Sequence, residues 1–347
     1  MANIREVAKE AGVSPAAVSR ILSGDPSFHA SGKTREAVAT AVKKLHYVPR
    51  APKRAAAAAP AGKADREYRI GCILPASAEK YGDPFFDAIL AAAEDVCVRN
   101  GARISTRYYY RELGDPHVLG SLIRENLDGL FMMERVDEEA HEIISRHIPN
   151  LVYVDCDEIE YSAYGVGFDH IAANRLVMRH LLGRGYRRIG LISGGSEKEP
   201  LSQSYRYMVY IDELRRAGIP FDPSLVMDSG WDLEECAACT KKLLGMPDPP
   251  DAIFAGSDSL ASVVLGTLYS MDLRCPRDVG VIGFNNLEVS AHLIPPLTTV
   301  DIPTADIGRT AGEWLMEMIR GNAGPVRKIL FPTTLIERGS LRQGYRA

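Results

Sequence analysis

Apolar positions in the first 45 residues recur at helical spacing in three short blocks. Ile4, Val7, Ala8 and Ala11 share one face behind Asn3, a residue suited to an N-cap. Gly12 ends that block, as glycine does where a helix turns through positive φ. Ser14 and Pro15 open a second stripe of Val18, Ile21 and Leu22, which the run Ser23-Gly24-Asp25-Pro26 stops. The third runs from about Thr34 to Leu45, with Ala37, Val38, Ala41, Val42 and Leu45 inward.

From residue 68 onward the pattern changes. Continuous apolar runs predict strands at Arg69–Leu74, Arg103–Tyr109, Gly129–Met133, Leu151–Asp155, Arg188–Ser193, Ser224–Asp228, Ala252–Ala255 and Val279–Phe284. Amphipathic stretches between them predict helices, among them Phe85–Val98, Ile171–Leu182, Tyr207–Ala217 and Leu260–Met271. Unbroken Ile/Val/Leu strands alternating with helices indicate parallel sheets covered on both faces. The stretch is long for one sheet, so two similar α/β lobes with a cleft between them are expected. Ligands of such sheets sit beyond the carboxyl ends of the strands.

Between these parts lies RAPKRAAAAAPAGKADRE, with two prolines, five consecutive alanines and mixed charge. It reads as a linker or as a short helix that is marginal alone. The expected division is 1–49 head, 50–67 joint and 68–347 body.

Charge sharpens this division. Residues 1–69 hold 13 Lys/Arg and 6 Asp/Glu, whereas 70–347 hold 28 and 39, so a basic head sits on an acidic body. That asymmetry points the head at a polyanion. Helix, glycine-containing turn, helix is the helix-turn-helix plan, whose second helix enters the DNA major groove. A three-helix bundle for protein contacts has the same outline.

The stretches IREVAKEAGVSPAAVSRILSG and SGKTREAVATAVKKLHYVPR resemble the DNA-binding head of the lactose-repressor (LacI/GalR) family of bacterial transcription regulators. The V-A-x-x-A-G-V-S-x-x-x-V-S-R core, the K-T-R-E segment and Tyr-x-Pro occur in family order. The body resembles the ligand-binding core of the same family, which is periplasmic-binding-protein-like. The resemblance places Pro15, Ala16 and Arg20 on the recognition helix. Arg20 suits guanine O6/N7, and Pro15 and Ala16, lacking side-chain donors, suit thymine methyls. It also places Ser14, Ser19, His29, Ser31, Thr34 and Tyr47 at or near phosphates, contacts that set register without reading sequence. In the joint, family members often fold a hinge helix that wedges a leucine into the minor groove. Here Ala56 stands near that place, and a methyl group is a poor wedge. Lys53 and Arg54 can still reach a narrow groove or phosphates.

Several loops after the strands carry groups suited to a sugar. These are Asp155 after LVYV, Arg206 near a helix start, Trp231 after VMDSG, Ser257 and Asp258 after IFAG, and Asn285 and Asn286 after VIGF. Planar polar groups bind neighbouring hydroxyls, and an aromatic face covers the C–H side of the ring. By resemblance, Arg206, Trp231, Ser257, Asn285 and Asp155 match family effector positions, and Tyr81 faces the cleft from the first strand's loop. Each has a plainer reading: Trp231 as a staple at a helix start, Asp258 as a helix cap, Arg206 as a structural ion pair. Many relatives carry Asn at the Ser257 position and Asp at the Asn285 position. With the IPPLTTVDIP segment, this looks most like the evolved-β-galactosidase-repressor branch and implies a galactoside or related sugar. The family chain crosses between lobes three times, here expected near Val166, Leu287–Thr298 and Gly321–Phe331.

No phosphate loop, G-x-S-x-G elbow or H-E-x-x-H is present, so no enzyme is expected. Cys236-x-x-Cys239 lacks a second ligand pair for zinc, and neither metal nor cofactor is expected. The start MANIREVAKEAG has no apolar secretory stretch, implying a cytoplasmic, nucleoid-associated place and reduced thiols. The expected protein is a homodimer that binds a near-palindromic operator and a sugar effector, with no membrane partner. The competing class is a sugar-binding transport protein without a gene-regulatory role.

Overall fold

A computed structural model describes residues 3–22, 28, 30–45, 66–75, 84–156, 163–195 and 200–343. The head comprises α1 (Ile4–Glu10), α2 (Pro15–Leu22) and α3 (Gly32–Lys44). Asn3 and Glu6 form a reciprocal cap at the start of α1, and Ser14 Oγ accepts from the Ala17 amide at the start of α2. The predicted stripes meet in one core of Val7, Ala8, Val18, Ile21, Leu22, Val38, Ala41 and Val42. The third helix starts two residues earlier than its apolar pattern, because the Ser31 hydroxyl accepts from the Thr34 amide and caps it.

The first lobe holds a parallel sheet in the order β11-β5-β4-β3-β1-β2. Its strands are β1 (Tyr68–Leu74), β2 (Ala102–Tyr109), β3 (Gly129–Met132), β4 (Leu151–Val154), β5 (Tyr164–Phe168) and β11 (Lys328–Phe331). Covering helices include α4 (Pro84–Arg99), α5 (Pro116–Arg124), α6 (Glu138–His147) and α11 (Thr304–Ile319). Helices α4 and α11 pack backbone to backbone. A Cβ on Gly308 would lie 2.1 Å from the Ile89 carbonyl oxygen, so only glycine fits there.

The second lobe holds a parallel sheet in the order β7-β6-β8-β9. These strands are β6 (Ile189–Ser193), β7 (Val226–Asp228), β8 (Ala252–Ala255) and β9 (Gly280–Ile282). Around them lie α7 (His170–Gly183), α8 (Tyr205–Arg216), α9 (Leu233–Leu244) and α10 (Asp258–Ser270). β7 begins later than the apolar run suggested, because Pro223–Leu225 forms a 3₁₀ turn capped by Asp222. α10 begins earlier, because Ser257 is its N-cap.

An antiparallel ribbon of β10 (Thr299–Asp301) and β12 (Thr334–Ile336) lies between the lobes. The crossings fall close to the expected places, each displaced toward the C-terminus. The first follows Phe168, because all of β5 stays in the first sheet. The second runs through β10 and ends before α11, and the third follows β11.

All six cysteines are free thiols, and Cys236 and Cys239 are buried on α9. Burial pushes the Cys236 thiol up to about 12, so it is inert as a nucleophile. Among the described residues no group of acidic, His or Cys side chains is placed to hold a metal, and no helix is long and apolar enough to cross a membrane.

Candidate functional site

On the head, Ser14, Pro15, Ala16, Ser19 and Arg20 are all exposed, while Val18, Ile21 and Leu22 face the core. One face of α2 is thus spent on packing and the opposite face is offered outward. The Arg20 guanidinium lies 5.7 Å from the centre of the Phe28 ring. Ser31 is exposed and Thr34 half-buried, and their hydroxyls lie 2.7 Å apart at the start of α3. The proposed positions His29, Tyr47, Lys53, Arg54 and Ala56 lie outside the described residues.

In the body, the strand ends converge on Arg206. This residue sits in the first turn of α8, whose N-cap is Ser204. Its Nη1 donates to Ser193 Oγ at 3.2 Å, at the end of β6. Three rings surround the guanidinium: Trp231 at 5.5 Å, Phe254 at 5.9 Å and Phe284 at 5.1 Å from their centres. Its buried Nε has no hydrogen-bond partner among the described residues. Burial pulls the guanidinium down to about 10, opposed by the Asp155 carboxylate, so it stays charged at neutral pH. An enclosed donor without an acceptor is costly.

Asp155, Trp231, Asn285 and Asn286 all hold left-handed backbone, with φ of 59°, 68°, 104° and 52°. All four follow strands, β4, β7 and β9. Residues held in sparsely populated backbone regions gather where a site over-determines them. Trp231 is fixed further by Gly194, where a Cβ would lie 2.3 Å from the indole Cδ1 and 2.4 Å from the Trp231 amide nitrogen. It also packs against the second-lobe core, so the staple and the aromatic wall are one side chain.

Asp155 joins the lobes. It follows β4 of the first lobe, and its Oδ1 lies 3.1 Å from Nε2 of His170, the first residue of α7 in the second. His170 stacks on Phe168, with centroids 3.9 Å apart and planes at 25°. The pattern of apolar and polar positions gave no reason to single out His170. Its one signal was position, one residue into the helix after the first crossing.

Ser257 and Asp258 are turned inward. Ser257 Oγ caps α10 by accepting from the Leu260 amide, and the residue is 2% exposed. Asp258 is fully buried, and Leu287 N, Ser290 Oγ and Thr299 Oγ1 donate to its carboxylate. Asp258 thus faces the second crossing, and the cap of α10 is Ser257, not Asp258. Asn285 is half-exposed, and its amide donates to Val300 O. Asn286 Nδ2 donates to Asp301 Oδ1, and its Oδ1 accepts from Arg338, tying β9 to the ribbon. Tyr81 lies outside the described residues.

Residues 3–50 match the sequence profile described as bacterial regulatory proteins, lacI family, and residues 178–341 match a periplasmic binding protein-like domain. The repressor PurR of Erwinia tasmaniensis is 30% identical over 99% of this chain and 98% of its own. This chain belongs to the LacI family. The LacI-family repressor MelR of Bacillus subtilis is 29% identical over 98% of this chain and 97% of its own. Among solved structures, the transcriptional regulator CelR in complex with cellobiose is 26% identical, with a TM-score of 0.71 over 98% of this chain and all of that one. The lac repressor dimer bound to operator and the anti-inducer ONPF shares the fold, with 24% identity and a TM-score of 0.68 over 98% and 99% of the two chains. As a LacI-family member, the chain is a DNA-binding transcriptional regulator with a helix-turn-helix head and a two-lobed α/β ligand-binding core.

Proposed function

We propose that this regulator represses sugar-utilisation genes and that a neutral sugar in the interlobe cleft changes its grip on a near-palindromic operator. One observation carries the ligand reading: the Arg206 guanidinium, ringed by Trp231, Phe254 and Phe284, keeps a buried Nε without a partner among the described residues. Asp155 and Asn285 complete a set of planar donors and acceptors beside an aromatic wall, as vicinal hydroxyls require. Tyr81 extends this set, and Ser257 and Asp258, buried at the start of α10, support it from behind. CelR, solved with cellobiose, gives a sugar precedent on this fold.

On DNA, Arg20 reads a base edge, Pro15 and Ala16 lie against the groove, and Ser14, Ser19, His29, Ser31, Thr34 and Tyr47 hold phosphates. Lys53 and Arg54 follow the backbone at the joint. The units are 1–49, 50–67 and 68–347. The regulator acts in the cytoplasm, catalyses no reaction and works as a homodimer, since one recognition helix reads one half-site. Exposed Leu233, Tyr269 and Ile294 on second-lobe segments suit the interface.

The experiment is a thermal-shift screen of the full chain against mono- and disaccharides, followed by operator binding with each hit. Arg206→Ala should abolish the sugar response and leave operator affinity within about twofold, because the head is untouched. A sugar response that survives this substitution removes Arg206 from the site.

A further inference from the structure

On the reading of the cleft as the effector site, its charged groups must stay available to a ligand. Among the described residues, His170 and Arg206 of the second lobe are basic groups that act on the Asp155 carboxylate. His170 Nε2 holds Oδ1 at 3.1 Å, and the charge of Arg206 lies within electrostatic reach. Arg206 spends Nη1 on Ser193 and leaves Nε unpartnered among the described residues. A carboxylate and a guanidinium in an enclosed cleft pair with each other unless one of them is held. His170 is itself held, at the start of α7 and flat against Phe168.

We propose that His170 is a positioning residue that keeps Asp155 off Arg206, so that the cleft retains a separate acceptor and a separate donor for a neutral polyhydroxy ligand. An uncharged sugar needs both groups unspent, Asp155 to accept from one hydroxyl and Arg206 to donate to its neighbour. Without His170 the carboxylate swings to Arg206, and the site closes on its own ion pair.

The test uses the full chain with His170→Ala and His170→Gln. Glutamine carries an amide N–H near the place of Nε2. Crystal structures of both ligand-free variants should show Asp155 paired with Arg206 in the alanine variant and unmoved in the glutamine variant. Affinity for whichever of cellobiose, lactose or D-glucose the wild type binds should fall about tenfold in the first and stay within about threefold in the second. Asp155 in its original place in His170→Ala, or the same collapse in His170→Gln, overturns the inference. If the wild type binds none of the three sugars, the neutral-sugar reading fails, while the two crystal structures still decide the role of His170.

Discussion

Thr299 Oγ1 donates to Asp258 Oδ1 at 2.6 Å, which fastens the start of α10 to the strand that leads the chain out of the second lobe. Burial raises the Asp258 carboxyl to about 6, although its hydrogen bonds pull the other way. A carboxyl raised on folding binds its proton more tightly in the folded state. Its stabilising contribution is complete below the ordinary carboxylate range and is lost as pH rises through about 6. Asp258→Asn removes that titration. The stability gap between wild type and variant, measured by urea unfolding, should therefore be larger at pH 4.5 than at pH 7. The change should be about 2 kcal/mol, because each tenfold gain in proton affinity on folding is worth roughly 1.4 kcal/mol. A gap independent of pH would show that Asp258 does not titrate there.

Arg20 is exposed on the outward face of α2, where its guanidinium lies beside the Phe28 ring. Arg20→Ala should cost about 1–3 kcal/mol on the cognate operator and relax preference at one base pair per half-site. Gel shifts across a panel of operator substitutions read this directly. Uniform weakening across every sequence would assign Arg20 to phosphate instead.

Gly194 leaves no room for a methyl group beside Trp231, and the nearest atoms include the tryptophan's own amide nitrogen. Gly194→Ala should displace the indole and weaken sugar binding by about tenfold, with about 1–3 kcal/mol of lost stability from overpacking. Operator affinity without sugar should not move. Sugar titrations followed by tryptophan fluorescence, beside operator gel shifts, separate these effects.

Ile294 is 94% exposed and Tyr269 86%, values unusual for large apolar side chains on a folded lobe. Ile294→Asp should shift the protein from dimer to monomer in sedimentation at micromolar concentration. Operator affinity should then fall by about tenfold or more, because each half-site contact is lost separately. A dimer that persists would place the interface elsewhere.

Much of this was legible in the chain. The head helices follow their apolar stripes to within about two residues, because capping groups and stripe agree. The central strands β3, β4, β6 and β8 are buried along their whole length, which writes a continuous apolar run. The ribbon strands β10 and β12 are three residues each, too short to carry a period. β11 is an edge strand whose Ile329 and Leu330 are exposed, so its burial does not alternate. At the site, Arg206, Trp231 and Asp155 stood out as chemistry at strand ends. Phe254 and Phe284 read only as strand residues, and their rings face Arg206 because the second sheet brings β8 and β9 together. The partners of Asp258 could not be read from the chain, because Leu287, Ser290 and Thr299 lie some thirty to forty residues further on.

The β10–β12 ribbon limits how the two lobes can respond. Two of the three connecting segments are zipped in fixed register, Thr299 to Ile336 and Asp301 to Thr334, and Asn286 and Arg338 brace them at one end. Zipped segments resist shear and independent twisting but bend together like a leaf spring. Any change in the angle between the lobes must therefore bend these two segments together, because neither can slide past the other without breaking the register.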